Sequence, residues 1–259
     1  MKLLIITQKA DAEDEVKGFF HHWIEKFSQR VDSLDVICLQ SGKYSFPSNV
    51  KVWSLGKEAH LSKIRQLLRF YGYIWRLRKD YDAVFVHMNP IYVIFGGIFW
   101  KMQKKKIFLW YNHRRGGILA NLGIRTSNLA FYTSPFAFAA KFRNSKIMPV
   151  GIDTDLFKRN DNIPKAKNSI LSLGRISPVK KIEVLIEAAK LLDEERVDFI
   201  LDIVGEKEEG ANDYFDKIKK SAQKLEDKGK IRFLGKIPNL RTPEIYNQNE
   251  IFINLTPAG

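Results

Sequence analysis

Short, β-branched apolar runs separated by longer amphipathic stretches recur through the whole of this 259-residue chain. That alternation restricts it to parallel sheets covered by helices, because parallel neighbours need a crossover and a helix is the usual one. In the first half, residues 3–7, 36–39, 50–54, 83–87, 107–110 and 129–133 read as strands. Between the first two, Val16, Phe19, Phe20, Trp23, Ile24, Phe27 and Val31 recur at helical spacing. Asp11, Glu13, Asp14 and Glu15 place negative charge near the expected start of that helix, where it suits the helix dipole. The rhythm restarts with a strand over 170–173, a helix over 182–192, a strand over 199–204 and a helix over 214–225. A strand over 231–234, a short helix over 242–246 and a strand over 251–255 follow. Two successive α/β domains are expected, residues 1–158 and 159–259, with the polar stretch 161–168, broken by Pro164, beside the join.

Charge divides the chain in the same place. The net charge is +14, and residues 1–158 carry 25 Lys and Arg against 12 Asp and Glu, whereas residues 159–259 carry 18 against 17. The first half therefore suits an anionic partner, either a membrane surface or nucleic acid; no nucleic-acid-binding motif is present, so nucleic acid is not the expected partner. The one cysteine, Cys38, lies in the apolar run Val36-Ile37-Cys38-Leu39 with no disulfide partner, which fits a reducing cytoplasm. The N-terminal apolar stretch is too short for a signal-peptide core. The longest apolar run, 91–100, is well short of the ~20 residues of a spanning helix. A cytoplasmic protein, at most touching the inner face of a membrane, is expected.

Two neighbouring patterns carry chemistry. Residues 148–157 read Met-Pro-Val-Gly-Ile-Asp-Thr-Asp-Leu-Phe, and residues 173–181 read Leu-Gly-Arg-Ile-Ser-Pro-Val-Lys-Lys. Together they closely resemble the family 4 retaining glycosyltransferases, in which the first pattern links two Rossmann-like domains (the GT-B fold) and the second places an Arg and a Lys beside the donor diphosphate. The resemblance puts Arg175 and Lys180 in those roles. It also makes Gly174 and Gly205, the latter in Ile203-Val204-Gly205-Glu206, the strand-end turns of the donor site. Ile231-Arg232-Phe233-Leu234-Gly235 resembles the next strand and turn.

The residue types suit such chemistry on physical grounds alone. Breaking a sugar-nucleotide bond builds negative charge on a diphosphate. Fixed cations at the carboxyl ends of parallel strands stabilise that charge more in the transition state than in the ground state. A solvated basic loop ahead of a helix would show the same two residues, and only the order and context of the patterns favour the functional reading.

Signals in the first half are weaker. His113 follows an apolar strand, and the resemblance places it as a catalytic residue between donor sugar and acceptor; a surface histidine without a role is the alternative. His87 ends another strand, while His21, His22 and His60 read as helix surface or packing. Many family members have a glycine-rich turn after the first strand. This chain has only Gly18 there, in an acidic turn that is a poor place for a diphosphate. Asp153-Thr154-Asp155 has the spacing of a metal-binding carboxylate pair, but it lies inside the linker pattern and no metal is expected. Gly205 to Gly210 opens like a phosphate-binding loop, yet Ala211-Asn212 stand where Lys and Ser or Thr are required. No G-x-G-x-x-G is present, which weakens a dehydrogenase reading.

From Lys63 to Lys79, Ile64, Leu67, Leu68, Tyr71, Ile74 and Trp75 fall near one helical face with cations elsewhere, and Lys101, Lys104, Lys105 and Lys106 add a second basic cluster. An interfacial helix on an anionic membrane has this pattern, and so does a core-packed helix with a solvated face. The resemblance implies transfer of a hexose from a nucleotide-diphosphate sugar to a glycan or lipid-linked acceptor, with retention and without a metal or other cofactor. The alternative is a non-catalytic relative that only docks on membranes or binds nucleotides. Residues 251–259 resemble the strand and turn that precede the family's paired glutamates, E-x7-E. Neither glutamate is present, so these 259 residues, with the second domain incomplete, are expected to show little transferase activity.

Overall fold

The computed structural model describes residues 1–14, 18–149 and 151–256. They form two compact units, the first ending at Gly151 and the second beginning at Ile152. The linker pattern is divided between them: Met148 N–H donates to the Tyr132 carbonyl of the first at 2.7 Å, whereas the rings of Phe157 and Tyr246 of the second meet at 6.5 Å and, just past the pattern, Asn247 Nδ2 donates to the Lys158 carbonyl at 3.1 Å. Val150 lies outside the described residues.

The first unit runs β1 (Lys2–Ala10), α1 (Phe19–Ser28), β2 (Ser33–Ser41), β3 (Val50–Ser54), α2 (Lys63–Arg76), β4 (Ala83–His87), α3 (Pro90–Met102), β5 (Lys106–Trp110), α4 (Ile118–Thr126), β6 (Leu129–Tyr132) and β7 (Ser145–Ile147). Its seven strands are ordered β3-β2-β1-β4-β5-β6-β7 and pair in parallel. The order reverses between β1 and β4. Strand alternation sorts the core into two layers. Leu4, Ile6, Val84, Val86, Ile107 and Leu109 face α2, α3 and α4, whereas Leu3, Ile5, Val36 and Phe85 face Phe20 and Ile24 of α1.

The second unit runs β8 (Ser169–Leu173), α5 (Ile182–Glu194), β9 (Ile200–Val204), α6 (Asn212–Asp227), β10 (Ile231–Gly235), α7 (Thr242–Gln248) and β11 (Ile251–Phe252), with sheet order β10-β9-β8-β11, also parallel. One sheet face packs Leu201, Ile203 and Ile231 against α5 and α6. The buried Asp202 carboxylate takes a bidentate pair from Arg232 at 2.7 and 2.9 Å beside a cavity of about 240 Å³. The strand expected over 251–255 is assigned only at Ile251 and Phe252; Ile253 N–H still donates to the Leu171 carbonyl of β8 at 2.9 Å, and Ile253 and Leu255 pack on the core. Pro257, Ala258 and Gly259 lie outside the described residues.

Two expectations need correction or extension. The first helix begins at Phe19 with no acid in its first turn. Asp11 and Asp14 pair with Lys9 at 2.9 and 2.7 Å and Glu13 with Lys43 at 3.2 Å, so the acids serve the preceding loop; Glu15 and Val16 lie outside the described residues. The apolar run 91–100 is part of helix α3. It is apolar nearly all round and so lacks amphipathic period, and its glycines allow close approach: a Cβ on Gly97 would lie 2.7 Å from Thr126 Cγ2 of α4. Among the described residues no helix is long and apolar enough to cross a membrane.

Candidate functional site

Gly174 follows β8 and Gly205 follows β9, at the carboxyl ends of adjacent parallel strands. Their φ angles are +148° and +135°, in the region that favours glycine. The two turns touch: a Cβ on Gly205 would lie 2.1 Å from the Gly174 carbonyl oxygen. The loops beyond are tied together by Ile176 N–H donating to Glu206 O at 2.8 Å and Glu208 N–H donating to Ile176 O at 3.1 Å. This pairing sets the two cations. Arg175 Nη1 donates to Glu208 Oε1 at 2.5 Å. Lys180 folds back over the first turn, so that a Cβ on Gly174 would meet its Cε at 3.2 Å and its Nζ at 3.4 Å. Burial, and then the neighbouring Arg175 charge, hold the Lys180 ammonium below its ordinary pKa. An anion arriving here would offset both effects.

The start of α5 is fixed from α6. Tyr214 hydroxyl accepts the Ile182 N–H at 3.0 Å and donates to the Glu183 carboxylate, and burial followed by Glu183 pushes its pKa up to about 12. Neither Glu208 nor Tyr214 is signalled by the sequence, since each acts across more than 30 residues.

In the first unit, His113 is exposed after β5, with its ring 5.3 Å from that of Tyr111 and its carbonyl accepting Phe138 N–H at 2.9 Å. A cavity of about 460 Å³ opens beside it, lined by Met88, Pro90, Tyr111, Ile118 and Leu119. His87 is buried instead, stacked on Phe20 at 3.9 Å with Nδ1 3.4 Å from the Thr7 hydroxyl. Gly18 caps α1, and its close contact is with the chain itself: a Cβ there would lie 2.3 Å from the Asp14 carbonyl oxygen. His21 stacks on Phe46 at 4.2 Å and His22 bonds Glu25 at 3.0 Å, so both serve packing around α1, while His60 takes a left-handed turn conformation. The Asp153 carboxylate accepts the backbone N–H groups of Asp155 and Leu156 at 3.1 and 3.3 Å, which makes it a turn-former of the linker.

The whole chain superposes on solved structures of low sequence identity. HepE of Anabaena, solved in complex with UDP, matches with a TM-score of 0.73 at 16% identity over 100% of this chain and 75% of that one. Sucrose-phosphate synthase of Thermosynechococcus elongatus matches at 0.71 and 13%, over 100% and 76%. The UDP-GlcNAc 2-epimerase of Methanocaldococcus jannaschii matches at 0.59 and 14%, over 97% and 78%. The protein thus has an α/β fold of parallel sheets resembling the GT-B glycosyltransferases. More narrowly, residues 153–255, which hold both glycine turns and both cations, match the family model for glycosyl transferases group 1. A comparison with curated proteins finds no match.

Proposed function

We propose that the chain is a glycosyltransferase that binds a nucleotide-diphosphate sugar on its second unit and transfers the hexose, with retention, to a glycan or lipid-linked acceptor held by the first. The observation that carries this reading is the pair of touching glycine turns with Lys180 folded over one and Arg175 beside it, within the stretch that matches the family model. Glycine turns let backbone N–H groups approach a diphosphate, and the two cations take its charge as the bond to the anomeric carbon breaks. Neutralisation by Arg175 and Lys180 leaves no need for a metal or another cofactor. The acceptor hydroxyl supplies the new bond and its proton leaves with the diphosphate. His113 borders the cavity in which we place the acceptor, and the apolar lining by Ile118 and Leu119 supports a lipid-linked one. The solitary Cys38, buried in β2, supports a cytoplasmic setting.

A second reading, a nucleotide-binding or membrane-docking protein without turnover, draws on the engagement of Arg175 by Glu208. Calorimetric titration with uridine, guanosine and adenosine diphosphates tests the shared step. The wild type binds at least one of them, and Arg175→Ala and Lys180→Ala each weaken that binding by about tenfold or more, the worth of a charge-assisted hydrogen bond. Unchanged affinity in both variants removes these residues from the site. Detectable transfer of labelled hexose from the matching nucleotide sugar then overturns the second reading.

A further inference from the structure

The apolar stripe of α2 is divided by the fold. Leu67 and Ile74 join the core, whereas Ile64, Leu68, Tyr71 and Trp75, spaced along one line of the helix, are exposed, Trp75 at 60% and Leu68 at 66%. Helix α3 extends this face. Tyr71 hydroxyl donates to the Phe95 carbonyl at 3.2 Å and the Trp75 and Phe99 rings meet at 5.8 Å, while Ile98 and Met102 stand 75% and 80% exposed beside them. Helix α4 packs on α3 and continues it with exposed Ile118, Leu119 and Leu122. Large aliphatic side chains exposed on three helices that pack in sequence, α2 on α3 and α3 on α4, mark an interaction surface rather than one that meets only water.

The charge around the patch is one-sided. From Ala59 to Ile152 the chain has sixteen Lys and Arg and only two acids, Asp80 and Asp82. Arg65, Arg69 and Arg76 each follow a stripe residue by one position and so form a row alongside it, and Lys101 and Lys104 close the end of α3. Among the described residues none of Lys63, Arg65, Arg69, Lys101 and Lys104 is in an ion pair. Arg78 stacks over Trp75 with its guanidinium 4.5 Å from the ring centre, the pairing of aromatic and cation suited to a headgroup layer.

We infer that the joint outer face of α2, α3 and α4 docks on an anionic lipid bilayer, with Ile64, Leu68, Trp75, Ile98 and Met102 entering the headgroup and acyl boundary and the flanking cations meeting lipid phosphates. Charge complementarity selects this occupant. A second copy would bring the same cations face to face, and nucleic acid would leave the aliphatic side chains without a partner. The inference goes beyond the donor-site reading and does not depend on it. It also gives the cavity beside His113 a source of acceptor, since Ile118 and Leu119 belong to both surfaces.

Co-sedimentation of the full chain with phosphatidylcholine vesicles, with and without phosphatidylglycerol, tests it. The wild type sediments with the anionic vesicles, and high salt weakens binding as the Debye length falls from ~10 Å to ~3 Å. Combined Leu68→Glu and Ile98→Glu, both at exposed positions, lower partitioning by about tenfold or more while the unfolding midpoint and nucleoside diphosphate affinity stay as in the wild type. Binding also shifts tryptophan emission to the blue, and Trp75→Phe removes most of that shift. Three results overturn the inference: vesicle binding indifferent to the double substitution, equal retention by duplex DNA, or vesicle-free self-association that the double substitution abolishes.

Discussion

Gly205 is constrained twice, by its φ of +135° and by the Gly174 carbonyl oxygen 2.1 Å from where a Cβ would stand. Gly210, close by in the same loop, shares a positive φ of +82° but has open space around it. Gly205→Ala should therefore cost about 3 kcal/mol or more, because a backbone neighbour must move, against about 1 kcal/mol for Gly210→Ala. Urea unfolding of the two variants checks this, and equal losses would show that the turns are not in contact. The glycines and the Arg175 and Lys180 pair were picked out in the sequence by the resemblance of their motifs to a known family, since spacing alone would equally suit a solvated basic loop. Glu208 was not, because only the pairing of two loops brings it to Arg175.

The helices and strands read from periodicity stand close to their expected positions, whereas α3, α4 and β7 were not read from it, and the other departures have local causes. In α2 the expected single apolar face became two, since Phe70, Ile74 and Leu77 fill the core and leave the next line of apolar residues outside. In β2 an acid sits among apolar neighbours: Asp35 is buried and accepts Trp53 Nε1–H at 2.8 Å. Burial raises its pKa above the usual 3.8, with the Trp53 bond opposing that shift. A carboxyl that holds its proton more tightly when folded contributes stability below the unfolded value and loses it as pH rises through the raised one. Ionised Asp35 thus costs stability near neutral pH. Asp35→Asn, which keeps an acceptor for Trp53, should raise the unfolding midpoint at neutral pH, with the gain shrinking as pH falls into the carboxylate range; thermal scans of both proteins across that range measure it.

At the scale of the whole molecule, the two units have separate cores, and a ligand of one should not stiffen the other's interior. With a bound nucleoside diphosphate, hydrogen exchange should slow over residues 174–182 and 205–208, where the two turns and the start of α5 meet. The buried strands β1 and β4 should exchange as before. Slowing confined to the first unit would move the nucleotide site there. The sequence by itself determined the α/β class, the two-fold rhythm, the charge division and the cations after β8, because periodicity and spacing are local properties. Tertiary structure alone decided the strand order, the burial of His87 against the exposure of His113, the ties from Glu208 and Tyr214, and which half of the α2 stripe faces outward. Each of these depends on which distant segments pack together, and a one-dimensional pattern does not carry that information.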